Sequence, residues 1–312
     1  MSDGCVPLPA DLVVAGKLAI DEIAILGKSY PPVLGGTAAH VALAAATAGC
    51  RVAVVAAIGE DFPHIFLDQL RAKGIDLTGA VQRSGPSAHF VGDYAADGSV
   101  RSYGFSFGVA NQLSLRAYVK QIAESQAVHL GILPPHLLRR LIAYVRRGDR
   151  LISLTTIFHQ VRQFRDRLLP QLPALDILFV NAEEAVLLSG EKDPVQASER
   201  LGGAVPLVVI TEGSEGCLVN DGGTIFHVPS IPVKHVNTTG AGDSFVGAFL
   251  ARYLESCDAR LAAQWGNAAG ALKVTGVGPA PIIAATKDDL QRLVERIRQT
   301  SSSRSESRKP KG

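Results

Sequence analysis

Short apolar runs alternate with stretches of helical spacing along most of this 312-residue chain, and that alternation narrows its architecture more than any other feature. Runs at 12–15, 51–58, 127–130, 151–154, 177–180 and 207–211 read as buried strands. Residues 37–49, 61–73, 134–147, 161–168, 182–188, 243–254, 259–274 and 287–299 read as helices. Asp61 is placed to cap the second of these, Pro63 sits in its first turn, and Gly74 follows its end. Parallel strands joined in this way need helices on both faces of one sheet. The expected fold class is therefore α/β, a doubly wound, mostly parallel sheet flanked by helices. Ligands of such sheets bind beyond the carboxyl ends of the strands.

Two stretches interrupt the pattern. Residues 19–26 have the period of a strand with Asp21 embedded, and the loop markers Pro31-Pro32 and Gly35-Gly36 follow. Residues 88–95 and 99–105 read as two strands joined at Asp97-Gly98, a strong hairpin signal. Phe90, Tyr94, Tyr103, Phe105 and Phe107 concentrate aromatic side chains there. A hairpin added to an α/β pattern suits a lid over a site. A plain edge hairpin on the main sheet fits the same residues. A second hairpin, 215–220 with 224–228, surrounds Asp221-Gly222-Gly223.

Composition excludes several classes of function. A net charge of +2 is too small to argue for nucleic acid, and much of it lies in 301–312, expected to be a disordered basic tail. Cys5, Cys50, Cys217 and Cys257 form no Cys-x-x-Cys, which favours reduced thiols over disulfides or a zinc site. Residues 40–59 are apolar enough to raise the question of a membrane span, but Gly49-Cys50-Arg51 divides them into a helix, a turn and a strand. No basic patch and apolar run opens the chain as a secretory signal would, so the expected location is cytoplasmic, with no membrane partner.

The chemistry concentrates at Thr239-Gly240-Ala241-Gly242-Asp243. Glycines leave backbone N–H groups uncovered, and a helix starting there adds its unpaired N–H groups and the positive end of its dipole. Such a corner seats an anion, most often a phosphate. An acid beside a phosphate is electrostatically costly unless it has a task. The obvious task is to take the proton of a hydroxyl as it attacks phosphorus. The same five residues also fit a plain turn into a helix, with Asp243 as an acid of its first turn.

Five segments together resemble the ribokinase-like (PfkB) family of sugar and nucleoside kinases, over roughly residues 12–299. GGTAAHVALAAATAG resembles the family's N-terminal signature and VNTTGAGDSFVGAFL its C-terminal one. Asn181-Ala182-Glu183-Glu184 resembles its Asn-x-x-Glu motif, Thr211-Glu212-Gly213-Ser214-Glu215-Gly216 its nucleotide-site strand and turn, and Asn267 the asparagine of its late helix. The resemblance implies a kinase domain over 1–300, with lid strands near 19–34 and 87–107. It implies phosphorylation of an alcohol with ATP and Mg2+. Asp243 would be the base, and Gly240, Ala241 and Gly242 would offer N–H groups to the transferring phosphoryl group. Asp21, Gly35, Gly36 and His40 would meet the substrate. Thr211, Gly213, Gly216 and Asn267 would line the nucleotide, while Glu184 and Asn181 would reach Mg2+ through water. Arg101, on the hairpin, is a further candidate for substrate or phosphate; a solvent-facing strand arginine is the alternative.

Three positions depart from the family pattern. His40 stands where the N-terminal signature has asparagine, Asn237 where the C-terminal signature has an acid, and Thr155 where an acid often follows the middle strand. These changes bear on substrate identity more than on phosphoryl transfer. The expected function is phosphorylation of a small polyol, a sugar or an inositol-like compound. A nucleoside kinase is the alternative, with Phe90, Tyr103 or Phe105 clamping the base. A catalytically silent binding subunit is a third reading, and the intact Asp243 and Gly240-Ala241-Gly242 argue against it. A homodimer through the lid edge is a further expectation. No Gly-x-Gly-x-x-Gly follows the first strand, which disfavours a dinucleotide-binding dehydrogenase.

Overall fold

The computed structural model describes residues 10–113 and 119–307. In chain order its strands are β1 (Leu12–Ala15), β2 (Ala19–Ile25), β3 (Lys28–Ser29), β4 (Val33–Gly35), β5 (Val52–Ile58), β6 (Asp76–Gln82), β7 (Ala88–Tyr94), β8 (Val100–Ser106), β9 (Ala127–Leu130), β10 (Leu151–Thr155), β11 (Ile177–Asn181), β12 (Leu207–Thr211), β13 (Gly216–Asp221) and β14 (Thr224–Pro229). The helices are α1 (Thr37–Thr47), α2 (His64–Ala72), α3 (Val119–Glu124), α4 (Pro135–Val145), α5 (Phe158–Leu168), α6 (Ala182–Ser189), α7 (Pro194–Gly202), α8 (Ala241–Ser256), α9 (Ala259–Lys273), α10 (Ala280–Ala284) and α11 (Lys287–Ser307).

Nine strands form the main sheet in the order β14-β13-β12-β11-β10-β9-β1-β5-β6. From β6 to β12 every neighbouring pair is parallel, and β13 and β14 close that end antiparallel. The apolar runs explain the burial. One core packs α1, α8 and α9 on one face, with Leu43, Phe249 and Trp265 at its centre. The other packs α4 to α7 on the opposite face, around Leu138, Ile152, Leu178 and Leu188. β1 is the switch point, because the chain winds outward from it through β5 in one direction and β9 in the other. Ligands gather at such points in open α/β sheets. The start of α1 lies over it: a Cβ at Gly131 would sit 3.2 Å from Thr37, and one at Gly16 3.3 Å from Ala38.

The hairpin is not an edge of this sheet. With β2, β3 and β4 it makes a second, five-stranded sheet in which β2 pairs parallel with β7. Asp21 pairs with Phe90, Phe90 with Phe105 and Gly92 with Tyr103. Paired residues share a face, and faces alternate along each strand. Asp21, Phe90, Tyr94, Tyr103 and Phe105 therefore lie on one face of this lid.

Several expectations need correction. Asp61 does not cap α2; Pro63 precedes the helix, and Asp61 accepts a hydrogen bond from the Ser87 amide at 2.7 Å. β6, α3 and α7 were not anticipated. β6 is a half-buried edge strand with Gly79 inside it, so it lacks an apolar run. α7 does carry a start signal, since Asp193 caps it ahead of Pro194. α11 runs past Gln299 to Ser307, so the disordered tail expected from 301 is helical that far. No glycine or proline interrupts it before Pro310, and extending a formed helix costs little. Residues 308–312 lie outside the described residues, as does Cys5. Cys50, Cys217 and Cys257 are free thiols.

α1 and α8 touch without intervening side chains. A Cβ at Gly247 would sit 2.1 Å from the Val41 carbonyl oxygen and 2.9 Å from the Ala45 nitrogen. Gly247→Ala is expected to destabilise the protein by about 1–3 kcal/mol through overpacking, despite alanine's better helix propensity. Urea unfolding measures this; a neutral or stabilised variant contradicts the close contact.

Candidate active site

The contact of α1 with α8 brings two glycine corners together. Gly240 precedes α8 with φ +79, a left-handed conformation that glycine adopts at little cost. A Cβ there would lie 2.5 Å from His40 Nε2, so the histidine ring packs directly on the turn. Gly242 and Asp243 follow in the first turn of α8, where amides have no intrahelical acceptor. Ala241 differs from the expectation. Its N–H donates to the Thr238 carbonyl at 3.2 Å, so it closes the turn and is not free for an anion.

Asp21 comes from β2 and is 2% exposed. Its carboxyl lies over Gly35, where a Cβ would be 1.9 Å from the carboxyl carbon, so only glycine fits. Gly36 follows with φ +89 and starts α1 against the Lys17 carbonyl oxygen. Asp21 Oδ1 and both His40 nitrogens are buried with no hydrogen-bond partner among the described residues. A substrate hydroxyl would satisfy any of them.

Burial raises both acids of this cluster. Desolvation pushes the Asp21 and Asp243 carboxyls up to about 7, with the Lys273 charge opposing it in each case. His40 is held neutral, down to about 3, by burial and by the same lysine. Lys273, at the end of α9, is fully buried. Its ammonium donates to Asn237 O at 2.9 Å and Asn237 Oδ1 at 2.7 Å. The sequence reasoning missed it; the signal was a lysine inside the otherwise small and apolar stretch AAGALKV.

The lid reaches the same turn. The Tyr94 hydroxyl hydrogen-bonds the Thr239 hydroxyl, and Thr238 Oγ1 donates to the Gly98 carbonyl at 2.9 Å. Arg101, in contrast, is not brought to the site. The β7–β8 register slips at Asp93/Tyr94, and the guanidinium sits 3.5 Å from Asp93, on the face opposite Asp21.

Thr211, Gly213, Gly216 and Asn267 come together in the fold. With Ala241 and Gly242 they line one cavity of about 250 Å³, whose apolar wall includes Ile231, Val233 and Phe245. The Asn267 amide nitrogen is spent on the carbonyls of Val228 at 2.9 Å and Pro229 at 3.2 Å, so it braces β14. Asn181 and Glu184 form a capping box at the start of α6. The Asn181 amide holds Glu184 Oε1 at 2.7 Å, and Thr156 Oγ1 holds Oε2 at 2.9 Å. Asn181 thus orients Glu184 through its side-chain amide. Thr155 is a buried strand end; its neighbour Thr156 makes the useful contact. Among the described residues no group of three or more His, Cys, Asp and Glu could hold a metal. Glu184 is raised to about 7, chiefly by burial and also by the charge of Asp243. Glu184 fits a hydrated Mg2+ that takes its other ligands from phosphate and water.

The model of the pfkB family of carbohydrate kinases matches residues 12–285. The chain belongs to this family. It is a phosphotransferase, an ATP-dependent sugar or nucleoside kinase. A cytidine kinase of Thermococcus kodakarensis is 32% identical over 79% of the chain and 91% of its own length. A nucleoside kinase of Methanothermobacter thermautotrophicus is 27% identical over 91% of the chain and 95% of its own. The structure of Arabidopsis thaliana ribokinase with ribose and ATP superposes with a TM-score of 0.77, covering 92% of this chain and 99% of that one. At 22% identity that likeness is one of fold. No described helix is long and apolar enough to cross a membrane.

The raised carboxyls make stability fall with pH. Asp21, Asp243 and Glu184 bind protons in the folded state up to about 7, well above their unfolded range. Between about pH 5 and 7 these three carboxyls hold protons that the unfolded chain has released; the buried neutral His40 and His129 oppose them in part, and rising pH on balance favours unfolding. The ligand-free protein is expected to have a lower urea midpoint at pH 7 than at pH 5, with a shallower fall in Asp243→Asn. A midpoint that rises over that interval refutes the cluster.

Proposed function

We propose that this pfkB kinase phosphorylates a nucleoside, with Asp243 as the base. The observation that carries this is the shared lid face: Asp21 pairs with Phe90, and Phe90 with Phe105. Phe90 and Tyr103 stack there at 6.3 Å between centroids and 19° between planes. A ribose held by Asp21 would project its base toward those rings, whereas a free sugar or inositol offers them nothing to stack on. The names of the cytidine and nucleoside kinases among its relatives support the same reading.

The residues have defined tasks in it. Buried Asp21 accepts hydrogen bonds from ribose hydroxyls, and neutral His40 adds a contact with its orphaned nitrogens. Asp243, poised near neutral pH, takes the proton of the attacking hydroxyl. The amides of Gly240, Gly242 and Asp243 stabilise charge on the transferring phosphoryl oxygens. The apolar wall of the Thr211–Asn267 cavity suits the adenine of ATP. Glu184, oriented by Asn181, would hold Mg2+ through water. When bound, Mg2+ neutralises phosphate charge.

Two measurements test this. In a panel of cytidine, other nucleosides, ribose, fructose and inositol with ATP and Mg2+, nucleosides are expected to give the highest kcat/KM. Phe90→Ala is expected to raise nucleoside KM about tenfold, the loss of one stacking contact. Turnover of free sugars or inositol with nucleosides inert overturns the substrate class. Separately, Asp243→Asn is expected to lower kcat by at least about 100-fold while the fold persists. Wild-type turnover in that variant removes Asp243 as the base.

A further inference from the structure

Lys273 is a buried cation that none of the roles above uses. Its ammonium touches both oxygens of Asn237, the residue that opens the Asn237-Thr238-Thr239-Gly240 turn. The next residue of the chain completes the clamp, since the Val274 carbonyl accepts from the amides of Val236 at 2.7 Å and Asn237 at 3.3 Å. The turn leading to Gly240 and Asp243 is thus anchored on the end of α9. No carboxylate touches the ammonium among the described residues. Asn237 is neutral, so it accepts the hydrogen bonds without cancelling the charge.

We propose that Lys273 is a positioning residue for the transfer step: it fixes the Asn237–Gly240 turn and sets a buried ammonium whose charge acts on Asp21 and Asp243. This rests on the reading of Asp243 as the base. It also gives the neutral residue at 237 a physical reason. An aspartate there would ion-pair with Lys273 and draw its field away from the two acids. The titratable groups facing this charge are Asp21 from β2, Asp243 from α8 and His40 from α1, while Tyr94 from β7 faces Asn237 and Asp21. Burial pushes the lysine itself down to about 7, and both acids pull it back up. Carboxylates and ammonium therefore support each other's ionised forms.

Carbon NMR of the ligand-free protein with labelled aspartate carboxyls tests the proposal without any substrate. Asp21→Asn and Asp243→Asn assign the two resonances. In Lys273→Met, of similar length and uncharged, the Asp243 midpoint is expected to rise by about one pH unit or more. Asn237→Asp is expected to move it the same way by less, and it decides the matter if Lys273→Met does not fold. An unmoved Asp243 midpoint in the folded variant overturns the proposal. Turnover gives a second readout with whichever panel compound is phosphorylated. The acid limb of kcat against pH moves upward in Lys273→Met, whereas a lysine with only a structural role would lower kcat equally at every pH. If Asp243→Asn is inactive while the Lys273→Met midpoint stays put, only the lysine assignment fails. If Asp243→Asn is fully active, the base assignment fails first.

Discussion

The close approach of α1 to α8 is the constraint on which the site depends. Gly247 lets the two helix backbones touch, and Gly240 lets the His40 ring lie against the turn that starts α8. One helix begins beside the acid of β2, the other beside the acid of its own first turn. Separated by one ordinary side chain, the substrate end and the phosphate end would no longer share a cleft. A packing detail in the core thus sets the distance over which a hydroxyl must meet phosphorus.

That geometry forces charges into an apolar place. Asp21, Asp243 and Glu184 each sit where desolvation favours the neutral acid, and each is raised to about 7. Such an arrangement is unfavourable for folding and useful for proton transfer, because a base near neutrality both accepts and releases protons readily. Lys273 moderates the conflict at two of the three acids. The second sheet is tied to the same corner: Tyr94 bonds to Thr239 and the Gly98 carbonyl to Thr238, so the aromatic face and the turn before Asp243 are held in one unit.

Much of this was legible in order along the chain. The alternation of runs predicted the sheet and most helices, since both rest on local periodicity. Asp97-Gly98 predicted the hairpin, since a two-strand turn is local chemistry. What eluded the sequence needed partners far away. Whether 88–105 edged the main sheet or formed a lid depended on β2 pairing parallel with β7, a contact without a local signal. Arg101 was drawn away by a register slip, and Ala241's amide by a carbonyl three residues earlier. Asp61 looked like a cap and became a brace for the Ser87 amide.

The sequence by itself determined the fold class, the glycine corner before α8 and the acid beside it, because periodicity, glycine and a first-turn aspartate act within a few residues of one another. Only the tertiary structure decided that Asp21 shares a face with aromatic rings, that Thr156 reaches Glu184, and that Lys273 is buried against Asn237. Those facts depend on which distant segments pack together, and burial alone turned ordinary carboxyls and an ordinary amine into groups that titrate near neutrality.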